Sequence, residues 1–461
     1  MFLTVKEIAQ AVHAKTIEDA WEMVEINAVG FDSRKLNAHS LFVPLVSEND
    51  GHSFITQAIN QGAVATFWSK SLEDAPTDIP VIQVADTLKA LQDLAEYYLN
   101  KVKPKVIGIT GSNGKTTTKD MTEAVVSSQY RVYKTQGNFN NHIGLPITIL
   151  EMPQETEVII LEMGMNHAGE IKVLSDLAKP DIAIITMIGE SHIEYLGSRA
   201  GIADAKMEII SGLKENGTLI IPGNEPLLTE RASILKKAQV KTFGPLPTND
   251  SYSVEIVSGM KETTFKTNLS RDSFIKLPVT GTYNVDNALA ALSSAVVLGI
   301  SIDKAAQKLA TFQLTKNRTE WLEGIHESML LNDAYNANPT AMKAILANFS
   351  QLKNSGRKIV VLGDMLELGE QTDKLHLSIQ EALSTEEIDQ VILYGTHMKV
   401  LYDALKTIFG KERLHHFNGD KGPMIAFLKA LIQPKDYILL KSSFGTDLLS
   451  VTIALQVTTD N

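Results

Sequence analysis

No cysteine occurs among the 461 residues. Disulfides and thiolate chemistry are therefore excluded, and any metal must be held through oxygen or nitrogen. Hard cations, Mg²⁺ above all, fit that donor inventory. No run of about 18 apolar residues occurs either, so the sequence offers no membrane-spanning helix. The opening residues, Met1-Phe-Leu-Thr-Val-Lys-Glu-Ile8, carry charge inside their apolar stretch and lack a small-residue cleavage site, which sets the expectation of a cytoplasmic protein. A surplus of positive charge is also missing. The net charge of −11 argues against nucleic acid or an anionic membrane as the main partner, while leaving room for local basic pockets.

Hydrophobic content of 44% and charged content of 21% describe an ordinary globular chain. Its length exceeds the roughly 250 to 300 residues at which single cores stop growing, so two or three domains are expected. The first region mixes short strands, 63–68 and 81–84, with helices and ends in a helix over 88–99. The basic Lys101-Val-Lys-Pro104 then reads as a linker. In the second region, buried-strand patterns at 106–110, 158–161 and 181–186 alternate with helical ones. That alternation implies an α/β fold with a parallel sheet covered on both faces. A third α/β region follows from near Arg318, with strands at 358–362, 390–394 and 437–440 and a crevice expected at their carboxyl ends. The expected limits are 1–101, 102–316 and 317–461.

The most informative stretch is Val106-Ile-Gly-Ile-Thr-Gly-Ser-Asn-Gly-Lys-Thr-Thr-Thr118, where an apolar strand enters a glycine loop closed by Lys115 and Thr116. Gly111 and Gly114 let the backbone turn its N–H groups inward, Lys115 supplies charge for terminal phosphates, and Thr116 offers a hydroxyl to Mg²⁺. A helix from Thr116 to Val126 would point its N-terminus at the same anion. The loop departs from the strict eight-residue spacing, because Ile109 stands five places before Gly114. The bland alternative is a glycine turn with an incidental lysine.

Glu162 directly follows the apolar Val158-Ile-Ile-Leu161, so a carboxylate emerges at a strand tip beside the loop: the acidic metal partner that a phosphate loop lacks by itself. His192 comes shortly after the strand 181–186 and reaches the same sheet edge; a solvent-facing loop histidine is the competing reading. Lys206 is the least expected residue. Ile202, Ala205, Ile209, Ile210 and Leu213 share its helical face and are all apolar. Its stem could snorkel to the surface. Alternatively a neutral amine, its pKa lowered by burial, reacts with CO₂ and becomes a carbamate able to join a cation as an extra anionic ligand.

Taken in order, these residues resemble the Mur ligases of bacterial peptidoglycan synthesis. The resemblance spans all three regions. It rests on Asp32-Ser-Arg34, Thr110-Gly-Ser-Asn-Gly-Lys-Thr-Thr117, Thr135-Gln-Gly-Asn-Phe-Asn-Asn-His-Ile-Gly-Leu-Pro146, Glu162-Met-Gly164, His192, Lys206, Asn317-Arg-Thr-Glu320, Asp333-Ala-Tyr-Asn-Ala-Asn-Pro339 and Gly363-Asp-Met-Leu-Glu-Leu-Gly369. What it implies is an N-terminal domain for a UDP-sugar, a central P-loop-type ATPase domain and a Rossmann-like C-terminal domain. Within the family it implies the branch that adds D-alanyl-D-alanine to UDP-N-acetylmuramoyl-tripeptide through an acyl phosphate, with ATP as substrate and Mg²⁺ as cofactor.

Carried over by resemblance, Gly111, Ser112, Asn113, Gly114, Lys115, Thr116 and Thr117 bind the ATP phosphates. Thr116, Glu162, His192 and a carbamylated Lys206 serve the metal, and Lys115, His192 and Lys206 form the catalytic set. Arg318, Asp333 and Asn336 reach the nucleotide, while Asp32, Ser33 and Arg34 lie by the UDP-sugar. Asn138, Asn141 and Asn338 are read as substrate-side residues. By themselves, residues 333–339 are a polar turn before a helix and 32–34 an exposed turn. Asp364 and Glu367 meet the dipeptide or stand as a solvated turn.

One place departs from the family pattern. A Lys-Gly-Ser-Arg-like turn is expected near the end, yet the chain has Lys441-Ser-Ser-Phe-Gly-Thr446, with Phe444 where a charge would stand. A sister ligase adding the third amino acid, a folylpolyglutamate-synthase-like ligase and a noncatalytic nucleotide-binding protein are the alternatives. Fold-level analogy alone does not choose among them.

Overall fold

The computed structural model describes residues 1–14, 19–315, 318–353 and 355–457. At its centre the strand Lys105–Thr110 pairs in parallel with Val158–Glu162 on one side and Ile182–Ile185 on the other. Successive side chains face opposite ways, as the two-residue strand period requires. Ile107, Ile109, Ile160 and Ile184 enter one core, and Val106, Ile159, Leu161 and Ile185 the other. The helices Lys115–Val126 and Tyr283–Leu298 pack together over the first face. Because the chain leaves the central strand in both directions, a crevice opens at the carboxyl ends between Val158–Glu162 and Ile182–Ile185. The phosphate loop sits there.

Beyond Ile182–Ile185 the sheet continues through Thr218–Pro222, Gln239–Gly244 and Ser251–Ser258, all parallel. It then turns antiparallel with Thr263–Thr267 and Ser270–Leu277. This arm was not anticipated from the alternation of strands and helices. Its first strand is exposed along most of its length and so lacks the apolar run that marks a buried strand.

The first region forms a four-stranded parallel sheet among the described residues, in the order Ala28–Gly30, Ser40–Phe42, Ala63–Trp68, Val81–Gln83. The helix Thr87–Val102 leads out of it; Lys103 adopts a left-handed turn (φ 57°) and the central strand begins two residues later. The third region is a six-stranded sheet among the described residues. Ser328–Asp333, Tyr437–Lys441, Lys358–Gly363, Gln390–Tyr394 and Leu414–Phe417 run parallel, and Glu320–Gly324 is added antiparallel at one edge. The molecule is thus a three-domain α/β protein.

Two local readings change. Glu162 is the last residue of its strand rather than the first beyond it. The helix carrying Lys206 spans Arg199–Met207 and tightens into a single turn over Glu208–Ile210, so it stops short of Leu213. Lys206 is nonetheless buried, at 2% exposure.

Candidate active site

The phosphate loop owes its shape to two glycines. Gly111 has φ 153°, and a Cβ there would fall 1.8 Å from Thr186 Oγ1. Gly114, at φ 78°, is the cap of the helix Lys115–Val126 and provides no side-chain bond to the first-turn amides, which stay open to an anion. Ser112 Oγ is buried without a hydrogen-bond partner among the described residues. Lys115 Nζ bends back to donate to Gly111 O at 2.8 Å. Burial lowers its pKa, Glu162 opposes that shift, and Arg318 adds to it by like-charge repulsion.

Thr116 Oγ1 donates to Glu162 Oε2 at 3.0 Å, and Asn140 Nδ2 donates to Glu162 Oε1 at 2.9 Å. Thr135 Oγ1 accepts the Glu162 backbone N–H at 3.0 Å, and the buried Lys119 ammonium lies 3.8 Å from Oε2. A carboxylate at 3% exposure is thereby held by two side-chain hydrogen bonds and a long ion pair to a buried ammonium. Lys206 Nζ has no hydrogen bond or ion pair among the described residues. Burial holds its pKa well below the ordinary lysine value, and the neighbouring Lys115 charge lowers it further.

Lys115, Thr116, Asn138, Glu162, His192, Arg318 and Asn336 line one cavity of about 530 Å³. The structure therefore brings together residues from both larger domains that the sequence placed far apart. Asp333, with Asn113 and Gly114, lines a smaller cavity of about 100 Å³ behind the loop. One Asp333 oxygen accepts from Thr319 N at 3.1 Å and the other pairs with the buried Lys441. Arg318 stacks on Tyr335 at 3.9 Å from the ring centroid, and Phe444 packs against the same tyrosine with ring centroids 5.7 Å apart. Phe444 thus supplies an aromatic wall where a cation was expected. Asn317 lies outside the described residues.

The remaining expected site residues are more dispersed. Asp32, Ser33 and Arg34 line a separate cavity of about 860 Å³ in the first domain, closed on one side by His142 and Ile143. Arg34 donates to both Asp32 oxygens, at 2.8 and 2.9 Å, and these bonds bring the Asp32 carboxyl down to about 2. Ser33 Oγ donates to Gln57 at 2.7 Å. Asn141 Oδ1 accepts from Ile143 N and Gly144 N, at 3.1 and 2.8 Å, and so organises the start of the helix Gly144–Glu151. Asn338 caps the helix Pro339–Gln351 and donates to Ser191 at 2.8 Å; at 1% exposure it has no free surface for a substrate. Asp364 is neither a solvated turn nor an open contact. It is buried and accepts from His397 N and Met398 N at the head of the helix Met398–Phe409. Glu367 reaches across to His192, with Oε2 2.5 Å from Nδ1.

Sequence reasoning missed Asn140 and Thr135, which hold Glu162, although both belong to the Gly/Asn-rich stretch already singled out. It also missed Tyr283, Asp286 and Asn287 on the wall of the smaller cavity. They lie on one helix turn with no motif of their own.

The donor set suits a hard cation: a threonine hydroxyl, a carboxylate and an imidazole line one cavity. Among the described residues no group of three His, Asp or Glu could hold a metal alone, so further oxygens must come from elsewhere.

A phosphate loop at the switch point of a parallel sheet, faced by a second α/β domain, defines a nucleotide-dependent enzyme. Residues 109–295 match the Mur ligase middle domain, 317–444 the Mur ligase glutamate ligase domain and 25–99 the Mur ligase family catalytic domain. The chain belongs to the Mur ligase family, and it is an ATP-dependent peptide ligase. It is 45% identical to the UDP-N-acetylmuramoyl-tripeptide–D-alanyl-D-alanine ligase of Bacillus subtilis (strain 168), over 96% of each chain. Identity to the Escherichia coli (strain K12) protein of the same name is 34%, over 94% of each. Among solved structures, MurF from Acinetobacter baumannii superimposes with a TM-score of 0.88 at 29% identity, covering 98% of both chains. MurF from Thermotoga maritima in complex with ADP gives 0.80 at 26% identity, covering 93% of this chain and 96% of that one. A folylpolyglutamate synthase from Mycobacterium tuberculosis, at 17% identity, shares the fold alone. No described helix is long and apolar enough to cross a membrane.

Proposed function

We propose that the chain joins D-alanyl-D-alanine to UDP-N-acetylmuramoyl-tripeptide, converting ATP to ADP and phosphate, as a cytoplasmic step of peptidoglycan precursor synthesis. One observation carries the reading beyond family membership. The cavity at Arg34 shares His142 with a second of about 400 Å³, and that one shares Gly164 with the cavity at Lys115. A path of this kind suits an elongated substrate whose nucleotide end lies by Asp32, Ser33 and Arg34 and whose reacting carboxylate lies by the phosphate loop. The full-length relatives that bear this activity in their names support it, since the identity extends over all three domains.

The tripeptide carboxylate attacks the γ-phosphorus of ATP. A bond forms between carboxylate oxygen and phosphorus, the bond to the bridging oxygen breaks, and ADP leaves. The dipeptide amine then adds to the activated carbonyl carbon; collapse of the tetrahedral intermediate expels phosphate, and the nitrogen loses its proton. Lys115 and Arg318 offset the repulsion between the two anions that must meet. Residues 111–117 cradle the phosphates, with Asp333 and Asn336 on the nucleotide side and Asn138 facing the acceptor carboxylate. Thr116, Glu162, His192 and a carbamate on Lys206 would hold Mg²⁺, which would neutralise phosphate charge. The carbamate forms when the unprotonated Lys206 amine adds to CO₂ and releases a proton. Docking of the C-terminal domain keeps water from the acyl phosphate. The limits 1–101, 102–316 and 317–461 remain our division of the chain.

The test is phosphate release from MgATP with each substrate alone and with both. Release that needs both, with pentapeptide formed, supports the assignment. Nucleotide binding without stimulated release would move the noncatalytic reading ahead.

A further inference from the structure

The segment from Met187 to Glu194 is gripped from two sides. On one side it meets the phosphate loop: Ser112 N donates to Met187 O at 3.0 Å, and Ser191 Oγ donates to Ser112 O at 3.1 Å. On the other it meets the C-terminal domain. Thr340 donates its backbone N–H to Glu190 at 3.1 Å and its hydroxyl at 2.8 Å, and Asn338 Nδ2 donates to Ser191 at 2.8 Å. Glu194 N donates to Glu367 O at 3.2 Å, and Gly369, at φ 54°, packs its backbone against Glu194.

At the centre of this contact His192 and Glu367 face each other, and both hold left-handed backbones, φ 62° and 61°. Such conformations are unfavourable in non-glycine residues and persist where surrounding contacts enforce them. The two side chains meet at 2.5 Å between Nδ1 and Oε2. The approach is an ion-pair contact rather than a hydrogen bond in its angles; it pins the ring on its Nδ1 side and leaves the Nε2 edge facing away from Glu367. Nε2 has no protein partner among the described residues, and His192 lines the cavity that also holds Glu162 and Thr116.

We infer that Glu367 is the positioning residue for His192, and that it acts only when the C-terminal domain is docked. Docking and completion of the cation-binding cavity are then one event. A domain that swings away takes the carboxylate with it and frees the imidazole to rotate. The inference rests on the function proposed above only in taking His192 as a cation ligand, and it can be read without turnover.

The experiment uses the full chain with ADP and Mn²⁺ as probe, following bound Mn²⁺ by electron paramagnetic resonance and compactness by small-angle X-ray scattering. Glu367→Ala is expected to weaken Mn²⁺ binding by about 10–100-fold. ADP affinity without metal should hold, and the closed population should fall. Glu367→Gln keeps a polar oxygen of the same reach beside Nδ1 and should recover much of the loss, which a merely structural defect would not. Mn²⁺ affinity of both variants within about twofold of the parent would overturn the inference, since losing the partner that orients a metal-binding imidazole normally has a larger effect. A parent chain that binds Mn²⁺ with ADP yet forms no pentapeptide would overturn the function and leave the Glu367 comparison intact.

Discussion

Thr116 and Glu162, 46 residues apart in sequence, are joined side chain to side chain at 3.0 Å across the mouth of the phosphate loop. The hydroxyl that opens the helix and the carboxylate that ends the neighbouring strand are therefore held against each other by the fold itself. Replacing Glu162 by Gln preserves the size and the Asn140 contact but removes the charge. We expect kcat to fall by about 10²-fold or more, in line with the loss of a preorganised electrostatic group, with the thermal midpoint little changed. Steady-state kinetics beside a melting curve checks both parts.

Lys206 trades stability for chemistry. Its folded-state pKa lies below the unfolded one, so between those values the unfolded chain binds the extra proton and stability rises with pH. Lys206→Met should therefore be more stable than the parent at pH 7, with the advantage shrinking as pH climbs toward the ordinary lysine value. The same variant should lose ligase activity and its dependence on added bicarbonate. Parent-like activity would remove Lys206 from the mechanism.

Asp286 gives a second pH signature of opposite sign. Burial raises its carboxyl to about 6 from the ordinary 3.8. Between these values the native state keeps a proton that the unfolded chain has lost, so stability falls as pH rises and the penalty is complete above about 6. Asp286→Asn should stabilise the protein at pH 8 by up to about 3 kcal/mol, and hardly at all near pH 3.5. Unfolding midpoints at the two pH values measure the difference.

The asparagines of the 135–146 loop should separate into structural and functional members. Asn141 holds two amides at the start of a helix, so Asn141→Ala should cost about 1 kcal/mol of stability, as lost helix caps do. Asn138→Ala removes a cavity-lining side chain and should raise KM for the acceptor without moving the melting temperature. Paired kinetic and thermal measurements on the two variants discriminate them.

Much of this was legible in the chain. Strand, glycine loop and Lys115-Thr116 declare themselves because local geometry and anion binding demand the same residues. Glu162 and His192 could be placed beside the loop because a parallel sheet gathers its strand ends at one edge, and the burial of Lys206 could be read because it broke an apolar helical face. Glu367 and Asp364 were seen but not resolved: one grips a histidine 175 positions away and the other caps a helix, and neither leaves a local trace. The Arg318–Tyr335–Phe444 stack was hidden for the same reason, since only folding brings residue 444 beside residue 335. The exposed antiparallel arm carried too little apolar periodicity to be read.

The central claim is that the peptide carboxylate is activated by direct phosphorylation. Labelling the tripeptide's terminal carboxylate with ¹⁸O and analysing the released phosphate by mass spectrometry tests it. One ¹⁸O in each phosphate formed during pentapeptide synthesis is the predicted result. Unlabelled phosphate from a reaction that still yields pentapeptide would contradict the account, because no oxygen would then have passed from carboxylate to phosphorus.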